Sequence, residues 1–161
     1  MIWHTCWYVL KLDFQQNFHC NELKKRLRGK YNDALPLYNR ALQIKQALSR
    51  EEDAQLAQIM NSTAVLYRLR GEYDKAEPLD LKALAIRQRI FGEIHEDVAQ
   101  SYNSLGCLLQ DMGRYKEAEE NFLKSISQRE FLLGVNHPDV AMSLKYVSST
   151  TVLATIYLTI G

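Results

Sequence analysis

Histidine and aspartate occur two residues apart at two places in the chain. His95 precedes Asp97, and His137 precedes Asp139. Imidazole and carboxylate groups at short spacing can bind a metal ion or move a proton in hydrolysis. The two pairs lie 42 residues apart in similar surroundings, so duplication explains the spacing without any chemistry. We therefore predict no catalytic residue, no metal and no cofactor, and we assign Asp97 and Asp139 to helix capping.

The three cysteines are also poor candidates for chemistry. Cys6, Cys20 and Cys107 are widely spaced and form no Cys-x-x-Cys pair that would indicate zinc or a redox motif. Cys107 stands between Gly106 and Leu108 with no adjacent histidine or basic residue to activate its thiol, which favours a small apolar filler. An odd number of cysteines and no signal-peptide pattern at the start predict a reducing, cytoplasmic location.

Charge and length limit the classes of partner. Lys and Arg total 20 and Asp and Glu total 19 in 161 residues, which gives a net charge of +1. A balanced charge provides no field that would attract nucleic acid or an anionic membrane, so neither is predicted as a partner. The apolar segment 152–160 is too short for a membrane-spanning helix. The length is typical of one packed body.

An internal repeat of 42 residues organises the chain. The pattern Gly-x-Tyr begins at Gly29, Gly71 and Gly113, and the segments around these glycines align without gaps. Small residues share columns of this alignment: Ala34, Ala76 and Ala118 in one, and Ala64, Gly106 and Ser148 in another. Small side chains at matching positions let two helices approach closely. One structural unit is therefore repeated along the chain.

Each unit has the pattern of two helices joined by a tight turn. Apolar residues return every three or four positions, and glycine can adopt the left-handed conformation that ends the first helix. The predicted helices are Tyr31–Leu48, Ala54–Arg70, Tyr73–Phe91, Glu96–Met112 and Tyr115–Leu133. Because one hairpin cannot bury both of its faces, the units must stack on each other. The predicted fold is all-α, a right-handed α-solenoid of antiparallel helix hairpins.

These columns resemble the tetratricopeptide repeat (TPR). The resemblance rests on small Ala64 or Gly106, the turn glycines, the tyrosines after them and Ala76 or Ala118. The period of 42 exceeds the family's ordinary 34, and the linkers 91–99 and 133–141 are similar to those of the kinesin light chain-like subclass. The resemblance implies a superhelix whose concave face is lined by the first helix of every hairpin.

Some parts of the chain depart from the repeat. Asp80 stands where Tyr38 and Phe122 supply a large core residue, so we expect looser packing in that hairpin. We divide the chain into a degenerate N-terminal segment and partial first repeat (1–28), a repeat array (29–144) and a divergent, truncated repeat or tail (145–161).

Asn61 and Asn103 are the most informative polar residues. Asparagine is unfavourable inside a helix, yet it occupies the same column twice. In the family that the chain resembles, an asparagine at this position bonds the backbone of an extended peptide. The same register implies a surface formed with Met142 and by the following residues: Gln58, Asn61, Val65, Arg68, Gln100, Asn103, Cys107, Gln110 and Lys145. The other interpretation of the two asparagines is a hydrogen bond between repeats.

The sequence therefore predicts a non-catalytic adaptor or scaffold that binds a peptide segment of a partner protein. Arg26, Arg68 and Lys145 near this surface favour a peptide with acidic residues. A structural self-association module is an alternative, because the apolar end and the degenerate first unit offer surfaces that a second copy could cover. A non-catalytic arm of a larger signalling protein is a third possibility.

Overall fold

A computed structural model describes residues 30–48, 53–141, 143–148 and 150. These residues form helices and connecting turns, and no strand occurs among them. The five helices are α1 (Lys30–Leu48), α2 (Ala54–Arg70), α3 (Tyr73–Phe91), α4 (Glu96–Asp111) and α5 (Tyr115–Leu133). Helical residues at 138–141, 143–148 and 150 follow α5 and are called the final helical residues below. Of the predicted terminal segments, 1–28 and most of 145–161 lie outside the described residues.

The helices pair as antiparallel hairpins, as the repeat predicts. α2 packs on α3 and α4 packs on α5, while α1 contacts α2 and α3 contacts α4. Gly71 ends α2 with φ 82° and Gly113 follows α4 with φ 78°, a conformation that L-residues with side chains rarely adopt. At the first of these turns, the N–H of Glu72 donates to the carbonyl of Tyr67 at 2.9 Å. The two glycines therefore reverse the chain within each hairpin.

The predicted capping role of Asp97 and Asp139 is wrong. His95 is the N-cap of α4, and its Nδ1 accepts a hydrogen bond from the backbone N–H of Asp97 at 3.1 Å. His137 repeats the arrangement with the N–H of Asp139 at 3.3 Å. Asp53 holds the equivalent position before α2, where its carboxylate accepts from the N–H of Leu56 at 2.8 Å. The repeated spacing of the histidines thus reflects two helix starts, where the imidazole ring accepts the hydrogen bond that the carboxylate of Asp53 accepts before α2.

Small residues lie where the helices cross. Ala64, Ala76, Ala83 and Ala118 are all completely buried. Gly106 replaces alanine in one of these columns because the Phe122 ring occupies the space: a Cβ at residue 106 would lie 2.6 Å from the ring. Burial of Ala64, Ala76, Gly106 and Ala118 confirms the close helix approach that their size predicts, whereas Ala34 is half-buried and Ser148 is exposed.

Buried arginines join successive hairpins. Arg87 on α3 is 1% exposed and donates from Nη1 to the hydroxyl of Ser101 at 2.7 Å and to the carbonyl of Asp97 at 3.1 Å, both on α4. Arg129 on α5 donates in the same way to the hydroxyl of Ser143 at 2.8 Å. The two arginines are 129 − 87 = 42 residues apart, and so are the two serines. Each arginine therefore fixes the second helix of one hairpin to the first helix of the next.

Candidate functional site

The predicted peptide-binding residues lie on α2, α4 and the final helical residues. They differ widely in exposure: Asn61, Arg68, Asn103 and Cys107 are buried, Gln58, Val65, Gln100 and Gln110 are half-buried, and Lys145 is exposed. Met142 lies outside the described residues. The two first helices contact each other directly, since Nη1 of Arg68 on α2 lies 2.9 Å from Oδ2 of Asp111 on α4. The half-buried residues thus lie along adjacent helices.

Asn61 makes a buried hydrogen bond within its own hairpin. Its Nδ2 donates to Oδ1 of Asp80 on α3 at 2.7 Å, and both side chains are at most 5% exposed. The partner belongs to the same repeat, so the bond is not one between repeats. The bond also explains why a polar residue lies in the core. Asp80 occupies the position where other repeats have Tyr38 or Phe122, and its carboxyl group accepts the hydrogen bond from Asn61.

The Asp80 carboxyl is an unusual core group. Burial raises its pKa to about 7, and the hydrogen bond from Asn61 and the charges of Arg68 and Arg87 act in the opposite direction. Both arginines have hydrogen-bond partners elsewhere, Arg68 at Asp111 and Arg87 at Ser101. The α2–α3 hairpin thus contains a carboxyl group that changes charge near neutral pH.

Asn103 occupies the equivalent position on α4 in a different environment. Phe122 stands where Asp80 stands in the preceding hairpin, because 122 − 80 = 42. Asn103 is 4% exposed, and its Oδ1 is buried without a hydrogen-bond partner among the described residues. A buried carbonyl oxygen without a donor costs about 1–3 kcal/mol. Of the two asparagines predicted to contact a peptide, one is thus paired by the fold and the other has an unmet acceptor.

The positive charge that the sequence places near this surface is partly balanced. Arg68 and Asp111 form an ion pair in which the side chains are 9% and 17% exposed. Oε1 of Gln110, which is half-buried at the position equivalent to Arg68, accepts from the hydroxyl of Thr150 at 3.4 Å. Lys145 is exposed, and Arg26 lies outside the described residues. The local field of Arg68 is therefore weaker than its charge alone indicates.

The residues that the sequence reasoning missed are Arg87 and Arg129. Nη2 of Arg87 also donates to Oε1 of Gln58 at 2.6 Å, so the fold already binds one predicted groove residue. A signal was present in the sequence, because Lys45, Arg87 and Arg129 form a basic column with the period of 42. In a sequence, repeated basic residues on an exposed helix face cannot be distinguished from buried ones. The sequence alone therefore did not indicate that Arg87 and Arg129 join the hairpins.

The described residues contain no cluster of three or more His, Cys, Asp or Glu side chains that could bind a metal ion. Within the same residues, no helix is both long and apolar enough to cross a membrane. The polar residues of the predicted site on α2 and α4 are five amides, the thiol of Cys107 and Arg68, which is paired with Asp111. Such groups suit hydrogen bonding to a polypeptide.

The hairpin geometry and the 42-residue period define a class of helical repeat proteins. A family model of the tetratricopeptide repeat matches residues 25–89, 55–130 and 97–158 in overlapping stretches. These matches span most of the chain, which therefore belongs to the tetratricopeptide repeat family. Proteins of this family generally serve as protein-interaction modules, and their repeats form the right-handed α-solenoid predicted above.

Solved structures indicate which kind of tetratricopeptide repeat this chain contains. A crystal structure of nearly identical TPR-like repeats of the kinesin light chain type from Podosopora anserina matches with a TM-score of 0.73 and 20% identity, over 83% of this chain and 64% of that chain. BtubC (BKLC) from P. vanneervenii matches with a TM-score of 0.67 and 25% identity, over 78% of this chain and 50% of that chain. This chain thus spans less than two thirds of either structure. The predicted kinesin light chain-like kind is confirmed.

A search of curated proteins found no match to the chain.

Proposed function

We propose that this chain is a non-catalytic, cytoplasmic adaptor that binds an extended segment of a partner protein along α2, α4 and the final helical residues. The first helices of TPR hairpins line the concave face of the superhelix, and these helices carry the polar column of Asn61 and Asn103. The odd number of widely spaced cysteines supports the cytoplasmic assignment.

The observation that carries the proposal is the unmet oxygen of Asn103. An extended peptide presents a backbone N–H at every residue other than proline, and one such donor would satisfy Oδ1 after a rotation of the side-chain amide. Formation of that bond removes a cost that the unbound protein already bears. Asn103 therefore gains more from a peptide than an asparagine whose amide is already paired.

The flanking residues support the same surface. Gln100 and Gln110 lie one and two turns from Asn103 on α4, and both are half-buried. Their amides can donate to and accept from a peptide backbone without selecting particular side chains. We do not include acidic residues in the proposed ligand, because the ion pair with Asp111 balances the charge of Arg68.

A screen of random extended peptides against the purified chain tests the proposal. We expect enriched peptides whose affinity falls about tenfold in Asn103→Ala, since one buried hydrogen bond is lost. Isothermal titration of the best peptide with each variant provides the affinity, and circular dichroism verifies that helical content is unchanged.

Asn121→Ala is the matched control. Asn121 is half-buried on α5, a second helix, and its Nδ2 donates to the carbonyl of Glu117 in its own helix. We expect this variant to bind peptides as the parent chain does. Peptide affinity that is equal in Asn103→Ala and the parent chain would overturn the assignment of Asn103, and the absence of any enriched peptide from a folded sample would overturn the groove itself.

A further inference from the structure

Four apolar residues form a buried contact between the two helices of the α2–α3 hairpin. Ala57 and Met60 belong to α2. Ala83 and Ile86 belong to α3 and lie in the same apolar cluster, and none of the four is more than 1% exposed. The two residues on each helix are three positions apart, so they lie on one helix face. This contact shows what the facing sides of a first and a second helix bury when they form a hairpin.

Helix α1 carries the second-helix half of this contact in an exposed form. Ala41 and Ile44 stand one period of 42 residues before Ala83 and Ile86. Ala41 is exposed and Ile44 is 50% exposed, although α1 packs on α2 in the same way as α3 packs on α4. We call Ala41 and Ile44 the α1 face. It has the residues that a second helix presents to its first helix.

The final helical residues carry the first-helix half, also exposed. Ala141 and Leu144 stand two periods after the α2 pair, and Leu144 is 49% exposed while Ala141 is exposed as well. We call these two residues the final face. At the equivalent positions of α4, Ala99 is completely buried and Tyr102 is 8% exposed. Positions of this kind are thus covered in both hairpins where a second helix packs on them.

The two exposed faces are complementary halves of one contact. Both are purely apolar, as in the α2–α3 hairpin, whereas α5 presents Ser125 and Gln128 at the same positions, with side-chain oxygens that are buried without a hydrogen-bond partner among the described residues. The alanine in each face is small enough to let two helices approach closely. The chemistry of the α1 face therefore matches the group that covers this kind of position inside the molecule.

The neighbours of the two faces also fit. The final helical residues already pack on α5, where Tyr146 stacks on Phe122, and α1 already packs on α2. If α1 of a second copy packs on the final helical residues, the new hairpin has a hairpin on either side, as every hairpin inside an array does. The α2–α3 and α4–α5 hairpins lie between the two faces of one chain, so the faces meet between copies.

We propose that the final face of one copy binds the α1 face of a second copy, which completes a helix hairpin between two chains. Leu144 then contacts Ile44 as Met60 contacts Ile86 within one chain. Because the two faces differ, the interface is heterologous, and each added copy offers another unoccupied face. Assemblies should therefore grow beyond two chains. None of the four residues belongs to the proposed peptide surface, so the two proposals stand or fall separately.

Sedimentation equilibrium of the full chain from about 5 μM to about 1 mM tests the assembly. We expect the average mass to rise with concentration and to exceed that of two chains. Ile44→Lys blocks the α1 face and Leu144→Lys blocks the final face, and each should weaken the association at least about tenfold, because a charge replaces an apolar contact. Both residues are half exposed, so the dilute variants should keep the helical content and melting temperature of the parent chain. Leu81→Lys is the matched control, since this leucine is 47% exposed although the α4–α5 hairpin packs on α3, and it should leave the association unchanged.

An equimolar mixture of the two blocked variants tests the pairing of the faces directly. Ile44→Lys keeps its final face and Leu144→Lys keeps its α1 face, so one copy of each should join through the intact pair. The mixture should reach the mass of two chains and stop there, because both remaining faces are blocked. A parent chain that stays at the mass of one chain throughout would overturn the proposal, and this result is expected if other residues of the same chain cover either face. The proposal also fails if the mixture stays at one chain, or if either single variant assembles as the parent chain does.

Discussion

The α2–α3 and α4–α5 hairpins occupy the same place in the repeat but have different cores. The first places Asp80 in the column that faces its first helix and pairs it with Asn61 at 2.7 Å. The second places Phe122 there, with Gly106 beneath the ring and Asn103 left with an unmet oxygen. Equivalent positions in a repeat thus share backbone geometry without sharing interactions. Of the two equivalent asparagines, Asn61 is hydrogen-bonded within the fold, and Asn103 has an oxygen that is available to a ligand.

The aromatic core should dominate the stability of the α4–α5 hairpin. Phe122 is completely buried and its ring stacks on Tyr146 with centroids 5.4 Å apart, so it joins this hairpin to the final helical residues. We expect Phe122→Ala to lower the free energy of unfolding by about 3–5 kcal/mol, measured by urea denaturation. Phe131→Ala on the same helix is the control, and at a dilution where the chain is monomeric it should cost less than about 1 kcal/mol. Similar losses in the two variants would show that Phe122 is not the core of its hairpin.

The carboxyl core should make the α2–α3 hairpin sensitive to pH. Burial raises the pKa of Asp80 from 3.8 to about 7, so the folded protein holds this proton more tightly than the unfolded chain. The stability contributed by the protonated group is present below pH 3.8 and is lost as pH rises through about 7. Linkage sets the loss at no more than about 4 kcal/mol.

Urea denaturation of the parent chain and Asp80→Asn between pH 5 and pH 8 tests this expectation. Asparagine keeps an oxygen that accepts the hydrogen bond from Asn61, and it carries no charge. The free energy of unfolding of the variant should therefore rise relative to that of the parent chain as pH rises. Asp74→Asn, at an exposed aspartate of the same helix, is the control. A constant difference between Asp80→Asn and the parent chain across this range would mean that Asp80 does not titrate there.

The two asparagines should respond in opposite ways to truncation. Asn61→Ala leaves the buried Asp80 oxygen without its donor and should cost about 1–3 kcal/mol. Asn103→Ala removes a buried oxygen that has no partner in the part of the chain that the structure describes, and it introduces a better helix former, so we expect no loss or a gain of up to about 1 kcal/mol. Thermal unfolding of both variants measures the difference. Equal losses of stability in the two variants would show that Asn103 has a hydrogen-bond partner in the folded protein.

Most of the fold could be predicted from the sequence, because the period and the turn glycines mark each helix. The predicted bounds of α2, α3 and α5 agree with the structure, and α1 and α4 differ by one residue at one end. The small columns predicted which faces pack. The starts of α2 to α5 were located correctly, although the group that caps α4 is the ring of His95 instead of the carboxylate of Asp97.

The side-chain pairs of the site could not be predicted. Asn61 and Asp80 are 19 residues apart on different helices, and their contact depends on how the two helices rotate about their axes. Asp80 consequently appeared as a defect of packing, whereas it is a buried partner of Asn61. The same limit applies to Arg87, whose burial depends on the serine and the backbone carbonyl that the next hairpin supplies.

A substitution at Gly106 tests the contact that separates the two hairpins most directly. Alanine normally stabilises a helix interior by about 1 kcal/mol relative to glycine. At residue 106, however, the added Cβ would lie 2.6 Å and 2.7 Å from two carbons of the Phe122 ring. Since the ring is buried and cannot move into solvent, we expect the clash to exceed the gain and Gly106→Ala to lower the free energy of unfolding by about 1–2 kcal/mol.

The sign of this effect should reverse when the ring is removed. In a Phe122→Leu background, Gly106→Ala should stabilise the chain, because the propensity gain persists and the clash does not. Ala64→Gly makes the opposite exchange in the α2–α3 hairpin, where Asp80 faces the column, and it should cost more than about 1 kcal/mol, because helix propensity falls and a completely buried methyl group is lost. Urea denaturation of the four variants measures these differences. If Gly106→Ala stabilises the chain while Phe122 is present, the ring moves to make room for the added Cβ. The pairing of Gly106 with Phe122 would then not distinguish this hairpin from the α2–α3 hairpin.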